Sequence, residues 1–355
     1  MRRDEFLTIV AGGTAGCAVR RSSARSVPPA DISAYADYVR RVTLAGVSCG
    51  ALRDVAVDDQ QRLYVITKTA PSIQVFSPEG RALPSTAERL EATRYNMPYR
   101  VVFSAAGDLL VLDLKRSHVF RVNPRSGAAE GVAFNGLGVV GIAVAGDQDG
   151  RLYVGGFHPS AEKETNLIYR FDASGRYDGS FCPRHARVRT HHLTRFGGVE
   201  LAIAAGRAVL ASQQVCADIV EYDASGGVRN RTTGTPGYYR EPVRYPEKLP
   251  LAKEKQAALF ARLGREWTPC LGVYRVGEDR VLQAFRDASG KRHIVDILSR
   301  ELTRTMPGAA IKERPVCVTR DGTLYGLVEA ERGDAPAELI VRQIRMEPQG
   351  KGART

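Results

Sequence analysis

Arg53-Asp54-Val55-Ala56-Val57-Asp58, then Leu63-Tyr64-Val65, then Ile73-Gln74-Val75-Phe76-Ser77-Pro78-Glu79-Gly80-Arg81 are three apolar runs of strand length, each closed by turn residues. The phrase returns down the chain, and a repeat must be read before any single element. Val101-Val102-Phe103, Leu109-Leu110-Val111 and Val119-Phe120-Arg121-Val122 form a second copy. Gly141-Ile142-Ala143-Val144, Leu152-Tyr153-Val154 and Ile168-Tyr169-Arg170-Phe171 form a third, and Leu201-Ala202-Ile203, Val209-Leu210-Ala211 and Ile219-Val220-Glu221-Tyr222 a fourth. Looser fifth and sixth copies centre on Val281-Leu282-Gln283 and Leu324-Tyr325-Gly326. A small sheet of this kind cannot bury both faces alone, whereas six set radially can. The expected fold is all-β: a six-bladed β-propeller over residues 37–347, with four-stranded antiparallel blades.

The starts of the second strands, Leu63, Leu109, Leu152, Ala208, Val281 and Leu324, are spaced by 46, 43, 56, 73 and 43 residues. The longest gap holds residues 238–266, where Leu251–Leu263 is rich in good helix formers, so one helical insertion is expected between blades four and five. A closed ring must also hide the edge of its last blade. The sixth copy has no outer strand of its own, and Tyr38–Leu44 is expected to supply it.

The chain has 355 residues, 43% of them apolar, which is enough for a large core and excludes disorder. Its net charge of +12 survives removal of residues 1–16, so the basic character belongs to the domain and favours anionic surroundings. The N-terminus has the layout of an export signal: Arg2-Arg3, the apolar run Phe6–Ala11, and the small residues Thr14-Ala15-Gly16 before Cys17. That ending resembles the lipobox of bacterial lipoproteins and implies lipidation at Cys17; a plain cut after Ala24 is the alternative. Residues 1–24 are therefore set aside as a signal, 25–36 as a linker and 348–355 as a disordered tail. The expected location is the bacterial cell envelope, either anchored in its membrane or periplasmic.

The phrase in residues 53–81, matched closely by 141–176, resembles NHL repeats. The resemblance covers residues 50–345 and implies a six-bladed propeller with a binding face, in a family used mostly as interaction platforms and occasionally for catalysis. Aligning the copies on their first, innermost strands puts Asp54, Arg100, Gly141, Glu200 and Pro315 on one ring level, with Arg53 and Arg314 one residue earlier. Arg53, Asp54, Arg100, Glu200 and Arg314 are thus candidates to bind a small polar ligand or peptide terminus at the channel mouth, or else to satisfy one another. A second candidate is the basic run Arg184, Arg187, Arg189 and Arg195, suited to an anion.

No catalytic residue is assigned: nucleophile elbow, phosphate loop and dinucleotide fingerprint are all absent from the sequence. The six histidines lack metal-ligand spacing, so no metal or other cofactor is expected. Calcium-dependent lactonases share a six-bladed propeller, and an oxygen cage on Asp54 and Glu200, with Asn96 near the mouth, is the one metal arrangement left open. Cys182 and Cys216 are the most plausible disulfide pair. The expected function is an exported, lipid-anchored or secreted binding module for a protein, peptide or glycan of the envelope. The alternative is a propeller enzyme of lactonase, hydrolase or lyase type working at the channel mouth. Nucleic acid is not an expected partner, because export removes it and the basic run lacks interleaved aromatics.

Overall fold

The computed structural model describes residues 29–345, apart from 91–94, 159–165, 192, 194–196, 205–206, 233, 245–254, 256–258, 260–265, 288–291 and 331–332. The signal with Cys17, the tail, Arg195 and most of the 238–266 insertion lie outside the described residues. Within them the strands form six sheets. The innermost strands, Leu52–Val57, Pro98–Phe103, Val140–Gly146, Val199–Ile203, Cys270–Val276 and Arg314–Val318, touch one another in a closed circle, the sixth meeting the first. The chain is a six-bladed β-propeller.

Alternation explains why it closes. In a strand successive side chains point to opposite faces, and in Leu63–Thr67 all five residues are buried. Leu63 and Val65 pack toward blade six with Leu339 and Val341, while Tyr64 and Ile66 pack toward blade two with Val101 and Val111. Six such clusters fill the six spaces between blades. Every blade is thus sandwiched, and none exposes the apolar face that would make it unstable alone.

Two blades depart from four strands. Blade one has three, Leu52–Val57, Leu63–Thr67 and Ile73–Phe76, with the helix Pro84–Leu90 following on its outer side. Blade five has a fifth, because Ala30-Asp31 pairs in parallel with Ala309-Ala310. Residues 25–36 are therefore not linker throughout: from Ala30 the chain belongs to the ring. The cause is Ile32, only 3% exposed and packed with Val295 and Ala309, in a turn that Asp31 caps by accepting from the Ser33 amide at 2.8 Å.

The seam closes as the sequence demands. Ala36–Ser48 is the outer strand of blade six, antiparallel to Pro336–Ile344 from Ala36 opposite Ile344 to Ser48 opposite Pro336. Both ends of the domain meet in one sheet.

Candidate functional site

Five of the six innermost strands carry an extra residue in their pairing with the second strand. Such a bulge bends a strand and re-aims its side chains. In blade one Leu52 faces Thr67 and Asp54 faces Ile66, leaving Arg53 as the extra residue. The same step brings Arg100 opposite Leu112, Ala143 opposite Gly155 and Gly272 opposite Ala284, and in blade four, whose pairing is regular, Glu200 stands opposite Ser212. These form one level of the ring. Gly141 stands two residues before Ala143, because the extra residue of blade three, Ile142, lies between them.

Arg100 ties the level together. Its Nη2 donates to both Glu200 carboxylate oxygens at 3.1 and 3.0 Å, and its Nε donates to the Ile142 carbonyl at 3.0 Å. Its Nη1 lies 3.7 Å from Asp54, an ion pair longer than a hydrogen bond. The other Asp54 oxygen accepts from the Val101 amide at 2.9 Å, and Gln214 donates to Glu200 at 3.3 Å. Tyr274 extends the belt by donating to the Pro315 carbonyl at 3.4 Å. One guanidinium thus joins blades one to four, and Tyr274 joins five to six.

Burial raises the Asp54 and Glu200 carboxyls above their ordinary range, against the pull of Arg100. Burial opposes the charge of Arg100 as well, yet Glu200 and Asp54 together hold its pKa above the usual arginine value. Two acids thus share one cation, and burial favours the neutral form of each acid.

Asp54, Arg100, Glu200, Gly272 and Tyr274 all line a cavity of about 1330 Å³ within the ring. Its walls continue along the innermost strands to the turns that leave them: Asp58–Arg62, Ser104–Asp108, Gly277-Glu278 and Thr319–Asp321. Among the described residues, none in the loops entering those strands belongs to the lining. The cavity is therefore a well open at the exit face, with the Asp54-Arg100-Glu200 level as its floor. Of the three, Arg100 is the most accessible, its side chain 25% exposed against 6% and 7% for the acids.

The remaining candidates lie beyond the floor. Arg53 stacks on Tyr99 with its guanidinium 5.1 Å from the ring centre, and Arg314 pairs with Glu329 at 3.5 Å. Arg184 donates to the His158 carbonyl at 3.0 Å, Arg187 is ion-paired with Glu241, and Arg189 is exposed on the short helix Ala186–Thr190. That helix follows the outer strand of blade three and precedes the innermost strand of blade four, so the basic run sits at the entry face, away from the well. Gln213 and Gln214 link the two regions. The first accepts from the His185 amide at 2.7 Å, and the second holds Glu200.

The expected disulfide is absent, and Cys49, Cys182, Cys216, Cys270 and Cys317 are all free thiols. Cys182 accepts from the Gln213 side-chain amide at 3.7 Å, while Cys216 donates to the Gln213 backbone carbonyl at the same distance, so each sulfur is engaged with Gln213. Burial pushes both thiols up to about 11, which makes them poor nucleophiles.

Among the described residues no three or more His, Cys, Asp or Glu side chains gather as a metal site. The place between Asp54 and Glu200 that a cation would take is held by Arg100. Asn96 does not line the cavity and is fixed elsewhere: with Met97 it donates its backbone amide to the buried carboxylate of Asp113.

Tyr274, Tyr99 and Gln214 are the site residues the sequence did not single out. Tyr274 lies in the blade whose repeat is too worn to align; the other two adjoin residues that were identified.

No protein-family model and no curated protein sequence matches the chain. Solved structures do. A member of the DUF4221 family from Bacteroides vulgatus has a TM-score of 0.55 at 9% identity, covering 87% of this chain and 98% of its own. A protein from Bacteroides fragilis, described as exported, has a TM-score of 0.54 at 8% identity, covering 90% and 98%. A protein described as a gluconolactonase has a TM-score of 0.51 at 13% identity, covering 87% and 98%. The likeness is one of fold. No helix among the described residues is long and apolar enough to cross a membrane.

Proposed function

We propose that the protein is an exported, NHL-like binding module that receives a ligand, or a protruding group of an envelope partner, in the well. The observation that carries this reading is the floor. A cavity larger than most small-molecule sites, roughly 300 to 1,000 Å³, ends on charged side chains that are already oriented by one another. Such a floor is preorganised for recognition. With the guanidinium of Arg100 seated between the two carboxylates, neither acid is free to act as a base. On the entry face Arg189, beside the already partnered Arg184 and Arg187, is exposed to an acidic surface of the envelope, either the anchoring membrane or a periplasmic partner.

Ligand-observed NMR with a library of small polar compounds tests the reading. Gln148 is an exposed residue lining the well near its rim, so Gln148→Trp narrows the opening without entering the core. Compounds that bind should compete with one another, weaken at least about ten-fold in Gln148→Trp, and remain chemically intact. Conversion of a bound compound to product, or binding indifferent to the tryptophan, would overturn the proposal. Export is tested by the mass of the N-terminus in cells: a lipidated Cys17 or a start at Arg25 is expected, and an intact Met1 contradicts it.

A further inference from the structure

The chain carries 51 basic residues against 39 acidic ones, so a cavity drawn at random from its surface would be cationic. The well is not. Among the described residues of its lining, seven acids stand against six arginines. Around the rim the two signs are joined in pairs: Arg62 lies 2.6 Å from Asp58, and Arg320 lies 2.8 Å from Glu278. Arg207 pairs at 2.9 Å with Asp149 just outside the lining. Paired charges of this kind produce little field at a distance and attract ions of neither sign strongly.

The floor discriminates at close range as well. An anion reaching Arg100 meets the two carboxylates behind it, and a cation drawn to those carboxylates meets the guanidinium that covers them. A neutral group with both donors and acceptors meets neither obstacle. The Nη1 of Arg100, which reaches Asp54 only across 3.7 Å, has donor capacity toward the well. Carboxylate and amide side chains at the rim, among them Asp59, Gln60 and Gln148, supply paired acceptors and donors. Tyr274 adds an aromatic ring on the floor, lying across the Cα of Gly272, where any side chain at position 272 would collide with it. Neutral charge, dense hydroxyl groups and an apolar face suited to an aromatic ring are together the chemistry of sugars.

We propose that the well binds an uncharged carbohydrate, a neutral oligosaccharide or the end of a neutral glycan chain. The inference rests on the well being the binding site, and its test separates the two claims. The full chain is titrated, by saturation-transfer NMR and calorimetry, with three sets of trisaccharides. One set is neutral (malto-, cello-, manno- and N-acetylchito-trioses), one carries uronic acids, and one carries free amines. At least one neutral trisaccharide should bind, and each charged counterpart should bind at least about ten-fold more weakly. The neutral affinity should change less than about two-fold between low and high salt, since no net charge is screened. Gln148→Trp should weaken it. If the acidic or amino sugars bind best and the tryptophan blocks them, the ligand class is wrong and the well remains the site. If no sugar of any class is affected by the tryptophan, both claims fail.

Discussion

Arg100→Met should lower the stability of the domain by about 3–5 kcal/mol, the usual result of removing one partner from a buried ion pair. Among the described residues the guanidinium is the only group that touches Glu200, Asp54 and the Ile142 carbonyl together, and without it two carboxylates face each other in a confined space. The loss should depend on pH with a definite sign. Both acids have folded-state pKa values above their unfolded values of 3.8 and 4.5. Their contribution is therefore fully present below those unfolded values and is lost as pH rises through the folded ones. The deficit of Arg100→Met should accordingly be largest near neutrality and shrink toward pH 4.5. The triple variant Asp54→Asn, Glu200→Gln, Arg100→Met, which leaves no buried charge, should recover most of it. Urea unfolding at several pH values provides the check. A deficit below about 1 kcal/mol, or one that does not change with pH, would show that Arg100 is a solvated side chain and not the strut of the ring.

How the sequence announces this fold can be followed residue by residue. The repeated Asp before the second strand is legible because it builds the turn between the first two strands. Asp58 accepts from the Gln60 and Arg62 amides and from the Tyr64 hydroxyl, and Asp147 does the same with Asp149, Arg151 and Tyr153. In blades one and three one carboxylate thus fixes the turn, the arginine and the tyrosine of the phrase together, while Ser104, Ala204 and Thr319 take its place at the turns of blades two, four and six. Blade five replaces that device. Its turn from Val276 to Arg280 is shorter, and its buried acid, Asp296, sits on the third strand, paired at 2.9 Å with Arg304 and accepting from the Gly308 amide at 2.7 Å. The local code changed there while the tertiary role stayed, so Tyr274 and Gly272 escaped notice.

The site was legible in its members but not in its orientation. Asp54, Arg100 and Glu200 were on one level by counting alone, because each sits at the same distance from a turn of conserved geometry. Which end of the channel they face depends on how the entering loops fill the opposite side, where Arg53 lies on Tyr99 and Arg314 on Glu329. The first of these contacts joins residues of different blades. A one-dimensional pattern records the spacing within a blade and is silent about the packing between blades.

The largest effect is expected at the seam. Val42, Leu44 and Val47 are each at most 4% exposed, and all three pack into the cluster between blades six and one. Burying three such side chains is worth about 1.5–3 kcal/mol each, comparable in sum with the whole stability of a typical domain, about 5–15 kcal/mol. A chain beginning at Cys49 loses them and also bares the backbone edge of Pro336–Ile344, an invitation to intermolecular pairing. It should be unfolded or aggregated, whereas Leu44→Ala, which only empties part of the cluster, should cost about 2–5 kcal/mol and remain folded. The decisive experiment restores the strand in a new place. Ala36 lies opposite Ile344, so residues 30–48 can be moved behind Arg345 through a short linker, with Cys49 as the new start. This permuted chain should be monomeric and unfold cooperatively, with the strand joined to its neighbour directly. Circular dichroism and light scattering on the two chains give the answer. If the chain beginning at Cys49 is itself monomeric and unfolds like the whole protein, the ring does not depend on its N-terminal strand, and closure must be secured by contacts within blade six alone.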